Sequence, residues 1–450
     1  MTAVATQFSQ VAAKAADAVV DGLIAAALSG DDRARLTRAP AGAGKTGAVT
    51  RLVDALAGND AYVGVVAQTN AQAFDLVDRI AKLAPKRRVA FVPAGHVFLP
   101  AATAGLDNVE VREAKSLGNA PVIVATADKW AYLVPHVGGG FDAGVVDESY
   151  QMPSSKLLRI ADLFGTLDFL GDPGQLDPFS TVDDVRWRGL AVNPVLNAVD
   201  AVLANHGDSI PRRDIPITRR LPASAAGVIR EIFYPDLEFG PASAPGDREL
   251  VFKTPAIGRS RLARDAWRQA ADTGWAYLEL PHRLVVQPDR DIVAAIGDLV
   301  EQFFAGGPAV RDERHRGRTV DVAQDRLAVG VSHRNQRAAV QIELQRRGFP
   351  DVIVDTANRL QGREFDVVIV WHPLAGRQDA TAFHLDAGRA AVLTTRHRHA
   401  CVVVGRAGAR QLLDDFPPPG EYDLGIAHQV EFDGWEAHAR LIDHLESVRV

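Results

Sequence analysis

The segment APAGAGKT, residues 39–46, has the residue types and spacing of a phosphate cradle. Gly42 and Gly44 let a loop turn back on itself, so that the N–H groups around Gly42, Ala43, Gly44 and Gly47 point inward at a triphosphate. Lys45 reaches the β- and γ-phosphates, and Thr46 offers its hydroxyl to Mg²⁺. Ala39 stands where a glycine is usual; the closest phosphate approach falls at Gly42 and Gly44, so the loop tolerates it. In AGVVDESYQ, residues 143–151, Val145 and Val146 set Asp147 and Glu148 at the end of a buried strand. Two adjacent carboxylates suit two tasks: Asp147 holds the metal, and Glu148 orients and activates a water for in-line attack. FLGDPGQLDPF, residues 169–179, presents Gln175 from a tight turn, where it can report on the γ-phosphate.

These groups need strands to aim them and helices to cover those strands. The first thirty residues read as an amphipathic helix stopped at Gly30, and a short strand through Leu36 enters the glycine-rich loop. AYVGVVAQT, PVIVAT, DAGVVDE and LDFLGD read as strands, with AQAFDLVDRIAKL as a helix between them. The second half repeats the rhythm: helix RDIVAAIGDLVEQFF, strand RLAVGVSH, helix NQRAAVQIELQRRG, then strands DVIVDT, FDVVIVWH and CVVVG. Alternation of this kind predicts parallel sheets with helices on both faces. Residues 205–216, with two prolines, predict a hinge, and residues 240–275 an irregular stretch with a helix near SRLARDAWRQAA.

A length of 450 residues suits two or three domains of ~150 residues. The expected division is an ATP-binding unit at 1–205, a second unit at 206–410 and a helical tail at 411–450. The chain is 47% hydrophobic and 24% charged, as soluble globular proteins are, with a net charge of −6. Nucleic acid, if bound, must therefore meet a local positive channel rather than bulk charge. The single cysteine, Cys401, excludes an internal disulfide and fits a reducing, cytoplasmic setting. No basic leader with an apolar run opens the chain, and no membrane-spanning stretch is expected.

DTANRLQGREFDVVIV, residues 355–370, and AAVLTTRHRHACVVVG, residues 390–405, follow GDPGQL in the order of a known family. Through these motifs, over roughly residues 36–406, the chain resembles the superfamily 1 helicases. The likeness is to the branch with DEAxQ-type acidic motifs that moves 5′ to 3′, which holds RNA-surveillance and nuclease-linked replication helicases. The resemblance implies two tandem RecA-like P-loop domains with parallel sheets, with ATP and Mg²⁺ at their interface. It assigns Lys45, Thr46, Asp147 and Glu148 to the nucleotide and metal, and Gln175 to sensing the γ-phosphate. In ITRRLPAS it makes Arg220 the first arginine finger, with Arg219 as the rival register, since the usual aromatic before this arginine is missing. It makes Arg396 of LTTRHR the second finger. Glu364 matches the acid at the ribose, with Gln361 and Gly362 shaping that loop.

For single-stranded DNA or RNA, Thr69 and Asn70 in AQTNAQA match a phosphate-holding motif, and Thr126 and Thr356 match contacts in the two domains. Threonines and asparagines also cap helices by default. Trp130 has a core reading and a base-stacking one. The short interval between Thr69 and Thr126 leaves little room for an accessory domain, so unwinding elements are reduced or supplied by a partner protein. His397, His399 and Cys401 alternate like metal ligands, but too few ligands and adjacent arginines argue against a site. RDERHRGR, residues 311–318, reads as a solvated loop, and Gln7 or Gln10 as a possible adenine reader. The expected function is an ATP-driven translocase. Its rivals are a nucleic-acid-stimulated ATPase that acts as a binding switch without unwinding, and a small-molecule phosphotransferase.

Overall fold

A computed structural model describes residues 2–113, 116–117, 119–136, 140–178, 196–254, 260–285, 288–415 and 430–450. The side chains of Gln7 and Gln10 and the PPPG segment at 417–420 lie outside the described parts. Eight strands form the front sheet: β1 (Ala34–Arg38), β2 (Val63–Ala67), β3 (Val89–Phe91), β4 (Val109–Val111), β5 (Val122–Thr126), β6 (Phe141–Val146), β7 (Phe164–Gly171) and β8 (Arg212–Asp214). Their order is β4-β3-β5-β2-β6-β7-β1-β8, and every pairing is parallel. Strands β2 and β5 are rich in valine and buried throughout, as strands covered on both faces must be. One face packs Leu52, Leu76 and Ile80 from helices Lys45–Gly58 and Asn70–Leu83. The other packs Trp130, Leu157 and Val199. Within the sheet, the fully buried Arg35 forks onto Asp168 at 2.7 and 2.9 Å, so neither charge is left unpaired.

Between the two large sheets lie β9 (Ile217–Thr218) and β10 (Gly240–Pro241), which pair parallel, and β11 (Glu249–Phe252). The rear sheet consists of β12 (Trp275–Leu280), β15 (Leu327–Val331), β16 (Ile353–Thr356), β17 (Phe365–Trp371) and β18 (His397–Arg406), in the order β12-β18-β17-β15-β16. It too is wholly parallel, and all ten residues of β18, its second strand, are buried. A small antiparallel sheet joins β11 to β13 (Pro308–Arg311) and β13 to β14 (Thr319–Asp321). The helix Val430–Ser447 returns to pack on the rear unit through Leu441 and Leu445. The fold is therefore two α/β units with parallel sheets in tandem. Among the described residues no helix is long and apolar enough to cross a membrane.

Two stretches differ from the sequence expectation. Residues 212–214 of the expected hinge form β8, which pairs with β1 from Leu36↔Arg212 to Arg38↔Asp214. The edge of β1 supplies unpaired backbone groups for it, and Arg38 forks onto Asp214 at 2.7 and 2.8 Å. The front sheet thus continues past residue 205. Within residues 240–275 the expected helix is present at Arg261–Thr273, and the described residues around it also hold the strands β10 and β11 and the start of β12 at Trp275.

Candidate nucleotide site and its arginines

The loop after β1 closes as the glycines require. Gly42 and Gly44 have φ of +76° and +92°, values open to glycine at little cost. Ala43 N–H donates to the Pro40 carbonyl at 3.0 Å, and the helix Lys45–Gly58 begins at once. Its N-terminus gives the loop the donor set and dipole for anionic phosphate. Lys45 is buried, and its ammonium lies 2.7 Å from Glu148 Oε2. Burial alone would discharge it, but the charges of Glu148, Asp172 and Asp147 outweigh that and hold it above its ordinary range.

Asp147 and Glu148 follow β6 on the edge that carries the loop. Asp147 is 3% exposed, and its Oδ1 accepts the Glu148 N–H at 3.0 Å. Burial, then the charge of Glu148, pushes the Asp147 carboxyl up to about 7. Glu148 itself has φ +50° and ψ +47°, a left-handed conformation that costs a non-glycine residue about 1–3 kcal/mol and tends to be kept at functional sites. The turn after β7 adds Asp172, buried, whose Oδ1 accepts from Gly174 N–H at 3.1 Å and from the Tyr234 hydroxyl at 2.9 Å. The Tyr234 oxygen in turn accepts Ala41 N–H at 3.3 Å, so one phenol ties the phosphate loop to this turn. Gln175 donates to Asp172 and accepts from Gln361 of the rear unit at 2.8 Å.

The two expected fingers come to the same place. Residues 218–220 lie on the phosphate loop: Thr218 Oγ1 donates to the Ala41 carbonyl at 2.6 Å, and Arg219 N–H donates to the Gly42 carbonyl at 2.8 Å. A Cβ on Gly42 would stand 2.3 Å from Cβ of Arg220, so that glycine is also a close-approach position. The Arg219 side chain donates to the Ala43 carbonyl and is exposed. Arg220 is buried, with Nε 3.6 Å from Glu364 Oε2 and Nη1 donating to the Thr395 carbonyl at 3.4 Å. Arg396 is fully buried; its Nη2 donates to Thr395 Oγ1 at 2.7 Å. Burial, then the charge of Arg220, pulls Arg396 down to about 9, against the attraction of Asp172 and Glu148.

This donor set fits ATP and Mg²⁺. Arg396 Nε and Nη1 and Arg220 Nε are buried and make no hydrogen bond, which leaves them available to anionic oxygens. A carboxyl raised as far as that of Asp147 is one that a divalent cation would return to its ionised form. Thr46 and Gly47 open the helix beside it, and Gly47 has nothing within 4 Å of a would-be Cβ.

The remaining expected residues divide by position. Gly362 has φ +79° in the loop before β17, and Glu364 pairs with Arg314 at 3.3 Å. Thr69 and Asn70 follow β2, and Thr126 ends the adjacent β5, so all three share the edge that carries Lys45 and Asp147. Thr69 Oγ1 accepts Gln72 N–H in a capping box, and Thr126 Oγ1 accepts Lys129 N–H. Asn70 Oδ1 is buried without a hydrogen bond. Thr356 ends β16, on the edge of the rear sheet opposite to Arg396, which precedes β18. Trp130 is a core residue: it is fully buried and donates to the Val65 carbonyl at 2.9 Å. RDERHRGR is largely exposed, as a solvated loop would be, but Asp312 is 1% exposed and pairs with Arg314 at 2.9 Å, and Glu313 pairs with Arg398 at 2.7 Å. His399 lies between Asp312 and Asp366, at 3.7 and 3.9 Å. Asp172 and Tyr234 are the members that motif reasoning missed.

Residues 293–408 match the family model of an AAA domain. Among curated proteins none matches the sequence. Of solved structures, the chain is similar to the helicase of the arterivirus PRRSV, at 16% identity over 85% of this chain and 54% of that one, with a TM-score of 0.41. It is also similar to arterivirus nonstructural protein 10, a helicase, at 17% identity over 84% and 61%, TM-score 0.43. For the same viral helicase in complex with DNA the values are 16%, 86% and 64%, TM-score 0.44. The chain thus spans between 54% and 64% of the length of those three proteins.

Proposed function

We propose that this chain is a nucleic-acid-dependent ATPase of superfamily 1 that moves 5′ to 3′ along a single strand by closing and opening its two α/β units. One observation carries the reading: Lys45, Asp147 and Glu148 of the front unit and Arg220 and Arg396 share one buried cluster on the phosphate loop. The front unit is taken to run to about residue 215, since β8 completes its sheet. The cytoplasm is the proposed setting.

Bound ATP with Mg²⁺ would supply the phosphoryl group whose transfer to water drives the cycle. The loop N–H groups and Lys45 would hold the phosphates, and Thr46 and Asp147 the metal. Lys45, on exchanging Glu148 for phosphate oxygens, releases that carboxylate to take a proton from the attacking water. Arg396, with two buried donors that make no hydrogen bond, and Arg220, whose Nε makes none and lies 3.6 Å from Glu364, would stabilise the charge that spreads in the transition state, a contribution worth ~10³–10⁵ in rate. Gln175 reaches Gln361 across the units, so a change at the γ-phosphate position is felt by the rear unit. Thr69, Asn70 and Thr126 on one edge, and Thr356 on the other sheet, are the proposed backbone contacts, which explains how an acidic chain grips a strand locally.

The test is the ATPase rate against single-stranded DNA, single-stranded RNA and duplex, beside Lys45→Ala and Glu148→Gln. Stimulation by single strands in the wild type, lost in both variants, is the expected result. ATP hydrolysis indifferent to every polymer would refute the reading. Displacement of streptavidin from a labelled end separates a motor from a switch.

A further inference from the structure

The backbone of residues 219 and 220 is held from two sides. Toward the phosphate loop it gives up the Arg219 N–H, as described. Away from that loop its carbonyls meet two guanidinium groups. Arg248, which precedes β11, donates to the Arg220 carbonyl at 2.5 Å and to the Arg219 carbonyl at 2.8 Å. Arg398, the second residue of β18, donates to the Arg219 carbonyl at 3.0 Å. Glu313, which begins the turn after β13, holds both: it accepts Arg248 Nε and Nη2 at 3.1 and 2.6 Å and Arg398 Nη2 at 2.7 Å.

We infer that Arg248, Arg398 and Glu313 form a clamp that positions Arg220 by fixing its backbone against the phosphate loop. Three features carry this. The Arg248 side chain is 1% exposed, and a buried guanidinium is retained only where its donors are used. Its donors go to backbone carbonyls as well as to a carboxylate, which fixes a main chain rather than one rotamer. Both lone pairs of the Arg219 carbonyl are taken while its N–H lies on Gly42, so this residue is bolted between the two units. Arg248 and Glu313 come from the small β11–β13–β14 sheet, outside every motif that carries the chemistry. Arg398 lies two residues beyond Arg396, so a shift of β18 moves both arginine sites together. These are positioning residues; none of them needs to touch nucleotide.

The inference rests on the ATPase reading, and a mutant cycle keeps the two apart. Single-strand-stimulated ATPase is measured for wild type, Arg248→Ala, Arg220→Ala and the double variant, with cooperative thermal melting as the folding control. A misplacement of about 1 Å lowers rate by ~10²-fold. Arg248→Ala should therefore lose kcat by ~10–10²-fold, with KM for ATP held within about 3-fold. The double variant should be no slower than Arg220→Ala, because Arg248 acts through Arg220. Losses that multiply in the double variant, or Arg248→Ala at wild-type kcat, would overturn the clamp while leaving the ATPase reading intact. A wild-type chain that does not hydrolyse ATP overturns that reading itself. Should Arg248→Ala fail to melt cooperatively, Glu313→Gln, which keeps size and one acceptor, is put through the same cycle with the same expectations.

Discussion

Replacing Gly42 by alanine asks whether the phosphate loop and the finger segment are one mechanical unit. Gly42 has φ +76°, and a Cβ there would lie 2.3 Å from Arg220 Cβ, 3.0 Å from Arg220 N and 3.1 Å from Thr218 Oγ1. An alanine in the left-handed region costs about 1–2 kcal/mol. Overpacking adds about 1–3 kcal/mol. Neither neighbour can yield cheaply, because one is main chain and Cβ and the other is a hydroxyl committed to the Ala41 carbonyl. To reach ordinary contact near 3.5 Å the segment must retreat by about 1.2 Å. That carries Arg220 away from the pocket by a distance worth ~10²-fold in rate. Gly42→Ala should thus melt about 5–10 °C lower, with kcat down by ~10²-fold. Differential scanning calorimetry and steady-state ATPase assays read the two effects. Adding Arg220→Gly removes the worst overlap, so melting should partly recover while activity does not. Gly227→Ala, exposed in the helix Ala223–Phe233 with nothing within 4 Å, is the control and should stabilise by about 0.5–1 kcal/mol. A Gly42→Ala chain with wild-type melting and kcat refutes the argument.

Asp147 makes a pH prediction with a definite sign. Its carboxyl titrates at about 7 in the folded chain against 3.8 when unfolded, so its contribution is present below 3.8 and lost as pH rises through 7. In chelator, Asp147→Asn should therefore gain melting temperature over wild type progressively from pH 5 to 8; a difference that stays constant contradicts the assignment. Tyr234→Phe removes the donor to Asp172 and the acceptor of Ala41 N–H, and should cost about 1–3 kcal/mol in urea unfolding. Unchanged stability there would mean that the phenol does not brace the loop.

Where chemistry demands a residue type, the sequence was readable. Only glycine suits the turn at Gly42 and Gly44, only a cation suits Lys45, and the valines of β6 deliver Asp147 and Glu148 to a sheet edge. The parallel strands were readable for a related reason: burial on both faces forces unbroken apolar runs such as VVIV in β17. Short strands were not. β8 is RRD and β14 is TVD, and each exists because a neighbour's open edge supplies partners, which leaves no apolar pattern. RDERHRGR was legible in part: residues 316–318 are exposed as a solvated loop would be, while Arg248 and Arg398, the partners of Glu313, arrive from distant segments that the string does not link to it.

The bracing groups stayed hidden on a deeper ground. Tyr234, Arg248 and Arg398 act on the main chain at Ala41, Arg219 and Arg220, and every residue has an N–H and a carbonyl. A contact to a side chain leaves two marked residues that can be sought as a pair; a contact to backbone leaves one. That one is then indistinguishable, in a string of letters, from any core tyrosine or surface arginine. The groups that would touch nucleotide are thus written in motifs, and the groups that hold them in place are written only in three dimensions. It follows that variants of Tyr234 and Arg248 should report on the coupling between the two units more directly than variants of the motif residues, which remove the chemistry itself.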